Sequence, residues 1–180
     1  MRKSLVMGSL VGALALAAPA GAGERSWYMG LEAGLEMDGG GRGSPGFDGG
    51  GLAGLLTVGT GIGSHLNLEG ELGYRSTSDD GIDIDQTTLL LSVVYEAPLS
   101  KDISINIGVG VGADRVAVDY NFGLFQISDS EIEAVAQFKI GLSMDISDSA
   151  ELMANYRYVE TLTDSAIDDS TLTVGIRFDL

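Results

Sequence analysis

The sequence predicts an all-β fold, an eight-stranded antiparallel up-and-down transmembrane β-barrel with four long outer loops and three short periplasmic turns. Three observations lead there. Eight segments alternate apolar and polar residues with the period of a strand; the connections between them run long, short, long, short, long, short, long; and no apolar run beyond the first twenty residues reaches the length of a spanning helix. Strands of about 9–11 residues, with long loops on one side and short turns on the other, suit a barrel in a bilayer.

The amino terminus points to a compartment. Arg2 and Lys3 precede an apolar run from Leu5 to Ala18, and Ala18-Pro19-Ala20 or Ala20-Gly21-Ala22 offers small residues for cleavage. This is the layout of a secretory signal peptide. Residues 1–20 are therefore expected to be a signal peptide cut after Ala20 or Ala22, and residues 21–180 one outer-membrane β-barrel domain. A retained anchor fits less well, because the run is short for a span and contains Gly8 and Gly12. Losing Arg2 and Lys3 but no acid moves the formal charge from −16 to −18. Too few cations then remain to displace counterions from a phosphate backbone, so nucleic acid is not an expected partner. Cysteine is absent, which excludes a disulfide framework and thiolate metal sites.

In the first segment, Trp27, Met29, Leu31, Ala33, Leu35 and Met37 share one face, with Gly30, Glu32, Gly34 and Glu36 on the other. A Gly-rich stretch with Pro45 follows as a long loop. The second segment, 51–59, is less regular: Leu52, Leu56 and Val58 agree, Leu55 opposes them, and a bulge or a register irregularity is expected. After a short turn, the third (65–75) sets Leu66, Leu68, Leu72 and Tyr74 against Asn67, Glu69, Glu71, Gly73 and Arg75. An acidic loop, 76–86, leads to the fourth, where Thr87, Leu89, Leu91, Val93 and Tyr95 oppose Ser92 and Glu96. Pro98 sets the next turn.

The fifth segment, 103–113, alternates isoleucine and valine with Ser104, Asn106, Gly108, Gly110 and Gly112. Beyond Asp114 the apolar parity moves to Val116, Val118 and Tyr120, which predicts a bulge or the strand's end before a third loop at 120–130. In the sixth, Ile132 to Met144 on even numbers oppose Gln137, Lys139, Gly141, Ser143 and Asp145; in the seventh, Leu152, Ala154, Tyr156 and Tyr158 oppose Glu151, Asn155 and Arg157. A fourth loop, 160–170, precedes the eighth, where Leu172, Val174, Ile176, Phe178 and Leu180 oppose Thr173, Gly175, Arg177 and Asp179.

Alternation alone does not say which face meets lipid, since a soluble ligand-binding barrel turns its apolar set inward. The polar set decides it. Glycines beside long charged side chains suit a narrow interior that must be filled, and the charges balance: Glu32, Glu69, Glu71 and Glu151 could meet Arg75, Lys139, Arg157 and Arg177. Trp27, Tyr74, Tyr95, Tyr156 and Tyr158, with Phe178, sit toward strand ends on the apolar parity, as interfacial aromatics do.

At this point the chain resembles the small outer-membrane β-barrel family that includes the OmpA transmembrane domain, OmpX and the alphaproteobacterial "porin family" surface proteins. The resemblance rests on Trp27-Tyr28-Met29-Gly30-Leu31-Glu32-Ala33-Gly34, Leu68-Glu69-Gly70-Glu71-Leu72-Gly73-Tyr74-Arg75, the Gly108-Gly110-Gly112 run, Gln137-Phe138-Lys139-Ile140-Gly141, Tyr156-Arg157-Tyr158 and Val174-Gly175-Ile176-Arg177-Phe178. It implies that Gly175, Phe178 and Leu180 form the signal read by the barrel assembly machinery, although Asp179 and Leu180 follow an aromatic on which such chains commonly end. It also implies outer-membrane lipid and lipopolysaccharide as surroundings, with an extracellular ligand at the loops and a monomeric state as further expectations.

Chemistry beyond the barrel is sparse. His65 is the single histidine, at a short turn beside Ser64 with no orienting carboxylate in view, so no catalytic residue is assigned. Asp79, Asp80, Asp83 and Asp85 are candidates for calcium, although their spacing lacks the closing glutamate of the helix-loop-helix motif. No cofactor is expected. The leading function class is a structural or surface-interaction protein serving envelope integrity or adhesion, its interior plugged by charge. A narrow ion or small-solute channel is the alternative, and a lipid A-modifying enzyme ranks last.

Overall fold

A strand at the edge of a sheet carries unpaired amides that a bilayer cannot satisfy, so alternating strands can cross one only if the last closes on the first. The computed structural model, which describes residues 27–37, 51–79, 82–122, 125–162 and 168–180, has this closure. Its strands are β1 (Trp27–Met37), β2 (Leu52–Gly61), β3 (Leu66–Asp79), β4 (Ile82–Pro98), β5 (Ile103–Phe122), β6 (Phe125–Ser147), β7 (Ala150–Thr161) and β8 (Asp168–Asp179). Each pairs antiparallel with its chain neighbour, and β8 pairs with β1 from Tyr28↔Asp179 to Met37↔Ser170. The expected signal peptide and the first expected loop, 38–46, lie outside the described residues.

One row of paired residues runs Trp27, Thr60, Leu68, Val93, Val109, Phe138, Tyr158, Ser170 and back to β1 at Met37. It starts at 27 and returns at 37, a stagger of ten residues. Eight strands with that stagger tilt by roughly 40° and leave an interior that side chains can fill.

The faces follow parity. Leu31, Leu91, Val109, Val111, Leu142, Leu172 and Val174 are exposed on the outside, whereas Glu32, Glu71, Lys139, Arg157 and Thr173 are buried inside. This inversion of the usual burial pattern belongs to a barrel surrounded by lipid.

Three expectations needed revision. β2 pairs without a register shift on either side, and Leu55 simply points inward, lining a cavity with Leu90 and Val159. The parity change after Asp114 is neither a bulge nor an end: β5 stays in register with β4 and β6 to its last residues, and Val116 continues the inward row. The change marks the height at which the wall leaves lipid, where the rule that apolar means outward lapses. The third revision concerns length. β3 and β4 remain paired to Asp79↔Ile82, and β5 and β6 to Phe122↔Phe125, so most of the stretches expected as loops at 76–86 and 120–130 are strand. The short-turn end is as compact as the sequence implied, with Ile62 N–H donating to Leu66 O at 2.8 Å and Leu99 N–H to Ile103 O at 2.8 Å.

Candidate functional site: the ion-paired lumen

A buried charge is tolerated only with partners, and the lumen supplies them in three clusters stacked along its axis. Nearest the short turns, Arg177 on β8 lies 3.1 Å from Glu96 on β4 and 2.7 Å from Glu151 on β7. Its guanidinium stacks on Tyr28, 4.7 Å from the ring centre, a cation–π contact. The Tyr28 hydroxyl donates to Glu69 at 2.7 Å, which joins this cluster to the next. Tyr28 reaches the lumen because Gly59 lies opposite it on β2, where a Cβ would stand only 2.3 Å from the tyrosine ring.

The middle cluster is the most enclosed. Arg157 on β7 grips Glu32 on β1 with both terminal nitrogens, at 2.6 and 2.8 Å, and its Nε donates to Glu71 on β3 at 3.2 Å. The side chains of Arg157 and Glu71 are 2% and 0% exposed, so neither charge has water to fall back on. Lys139 on β6 pairs with Glu69 and stands 3.4 Å from Glu71. Ser92 and Gln137 donate to Glu71 at 2.9 and 3.0 Å; Asn155 and Thr173 donate to Glu32 at 2.9 and 2.5 Å. Toward the long-loop end, Arg75 on β3 bridges Asp114 on β5 at 3.2 Å and Asp169 on β8 at 2.9 Å, while Thr88 donates to Asp114 at 2.8 Å.

Every cluster holds one carboxylate more than it has cations. Hydroxyls and amides make up the difference, because a buried carboxylate presents several lone pairs and each needs a donor. Small cavities lie between the clusters, one of about 10 Å³ between the lower and middle and one of about 20 Å³ between the middle and upper.

All eight residues read from the sequence as an interior network, Glu32, Glu69, Glu71, Arg75, Lys139, Glu151, Arg157 and Arg177, take part in these ion pairs. The pairing is not the expected one throughout, since Arg75 meets Asp114 and Asp169 and none of the four glutamates. Tyr28, Glu96, Asp114 and Asp169 were missed. Parity held the signal for all four, which share the inward rows of Glu32, Ser92, Gly112 and Thr173.

The remaining candidates lie elsewhere. Asp85 accepts a hydrogen bond from the Tyr74 hydroxyl at 2.7 Å on the outer surface; Asp79 and Asp83 lie in β3 and β4, and Asp80 lies outside the described residues. Among the described residues, no three acidic or histidine side chains gather closely enough to hold a metal ion. His65 packs edge-on against Tyr95, ring centres 6.0 Å apart. Trp27, Tyr95 and Phe178 face outward near the short-turn end and Tyr74 toward the long-loop end. Tyr158 is opposite Phe138 and Ser170, and Tyr156, opposite Ile140 and Leu172, sits nearer mid-strand. Gly175 lies opposite Glu32, and the Leu180 amide donates to Trp27 O at 2.8 Å where the two ends of the chain meet.

The sequence matches the outer membrane protein β-barrel domain family over residues 8–178. The chain belongs to this family. Its fold is shared with Neisserial surface protein A (NspA) at a TM-score of 0.69 and 16% identity, over 89% of this chain and 99% of that one. It is also shared with a major outer membrane protein of Thermus thermophilus (0.63, 14%, 86% and 99%) and with Ail, the attachment invasion locus protein of Yersinia pestis (0.56, 14%, 87% and 97%). No curated protein matches the sequence. Family membership makes this an outer-membrane barrel; at these identities the structural likeness shows the fold alone.

Proposed function

We propose that this protein, exported through the signal peptide at residues 1–20, is a closed structural and surface-interaction element of the outer membrane, neither a diffusion pore nor an enzyme. The observation that carries this reading is the filled lumen: ion-paired clusters at three levels, with cavities of only about 10 and 20 Å³ between them. A wide pore needs more strands. The reading as a non-enzyme draws on His65, whose ring packs edge-on against Tyr95 at the short-turn end. Rigidity comes from buried hydrogen-bonded charge, and the paired β3–β4 and β5–β6 hairpins carry that rigidity past the lipid to where an extracellular ligand would be met. Lipopolysaccharide and outer-membrane lipid surround the wall, the barrel assembly machinery reads Gly175, Phe178 and Leu180, and the barrel acts as a monomer.

Planar-bilayer recording of the refolded protein tests the reading. The expected record is the baseline of the lipid alone. Reproducible unitary openings that disappear when Glu71 or Arg157 is neutralised would favour the narrow channel instead. For the enzymatic alternative the check is lipid A itself, which is expected to be chemically unchanged whether or not the protein, or its His65→Ala variant, is present.

A further inference from the structure

A level without charge interrupts the lumen between its middle and upper clusters. Leu55 on β2, Leu90 on β4, Val135 on β6 and Val159 on β7 each occupy the inward position one step above Thr57, Ser92, Gln137 and Arg157. Leu90, Val135 and Val159 are buried against one another, and Leu55 joins Leu90 and Val159 around the cavity of about 20 Å³. Gly73 on β3 lines the same cavity, with the Leu55 Cγ at van der Waals distance, 3.9 Å, from where a Cβ would stand. Glu71 and Arg157 border this level from below and Arg75 from above.

The lower cavity has the opposite character. Thr57 Oγ1, Asn106 Oδ1 and Arg177 Nε have no protein partner, and all three residues line the cavity of about 10 Å³. Below the apolar level, then, the lumen offers an ion hydrogen bonds and exchangeable charge partners. Thr88, Gln137 and Thr171 also line the cavity at the apolar level, but Thr88 already donates to Asp114 and Gln137 to Glu71, so an ion there must surrender most of its hydration shell against hydrocarbon.

We infer that Leu55, Leu90, Val135 and Val159 form the ion seal of this barrel, with the ion pairs fixing the wall around it. The inference rests on the closed-barrel reading above. It predicts that breaking an ion pair leaves the barrel closed, whereas wetting the septum opens it. In planar-bilayer recording in potassium chloride, after heat-modifiable gel migration has verified folding, Glu71→Gln is expected to stay at the lipid baseline. The triple variant Leu55→Ser, Leu90→Ser, Val159→Ser is expected to give openings at least about tenfold above it. Because each cluster carries a surplus carboxylate, the current is expected to favour potassium over chloride.

A conducting Glu71→Gln variant, a folded but silent triple variant, or a chloride-selective current overturns the inference. A conducting wild type overturns the closed-barrel reading itself. Should the triple variant not fold, the unmodified protein in lipid nanodiscs gives the answer by water-to-methyl nuclear Overhauser transfer. No transfer is expected to Leu90 and Val135, and cross-peaks of water with those methyls would sink the septum.

Discussion

Arg157 draws its ligands from β1 and β3, strands that lie on the far side of the chain from β7, and so ties together parts of the sequence that no local propensity connects. Removing it leaves Glu32 and Glu71 buried without their main partner. Arg157→Ala is therefore expected to cost about 3–5 kcal/mol, read from urea titration of folding into vesicles. Arg157→Lys should recover part of this, since it restores charge but not the two-pronged grip on Glu32. Arg177→Ala should cost less, because Glu96 and Glu151 are 24% and 17% exposed in their side chains and keep some water. Equal losses at the two arginines would mean that enclosure does not set their importance.

Among the strands, the contact of Tyr28 with Gly59 shows how one pair settles several others. With no side chain at Gly59, the tyrosine ring fits against β2, where it receives Arg177 and its hydroxyl reaches Glu69. Gly59→Val is expected to destabilise the barrel by about 1–3 kcal/mol through overpacking. In a Tyr28→Ala background the same change should cost clearly less, and a double-mutant cycle showing no coupling would refute this account. Strand length belongs to the same scale. β1, β2, β7 and β8 have 10 to 12 residues, near the bilayer requirement, whereas β5 and β6 have 20 and 23. Alternation identified each strand while lipid enforced it. Above the lipid both faces meet water, the pattern fades, and paired strand reads as loop; the stretch from Asp114 to Ser130 was misjudged for that reason.

The molecule as a whole is a cylinder whose apolar surface is its outside. A charge placed on that surface must enter hydrocarbon. Val109→Arg is expected to cost about 2–4 kcal/mol in vesicle-refolding equilibria, as for arginine near the mid-bilayer of other barrels. An unchanged stability there would contradict the lipid-facing assignment. The amino-acid sequence by itself determined the number of strands, their closure, the face each side chain takes and the set of interior charges, because these depend on a period of two that each strand carries within itself. Only the tertiary structure decided which carboxylate meets which cation, why Arg75 turns to Asp114 and Asp169, and where an apolar septum crosses the lumen. Those contacts are set by the ten-residue stagger of the closed sheet, and a stagger summed over all eight strands leaves no local trace in any one of them.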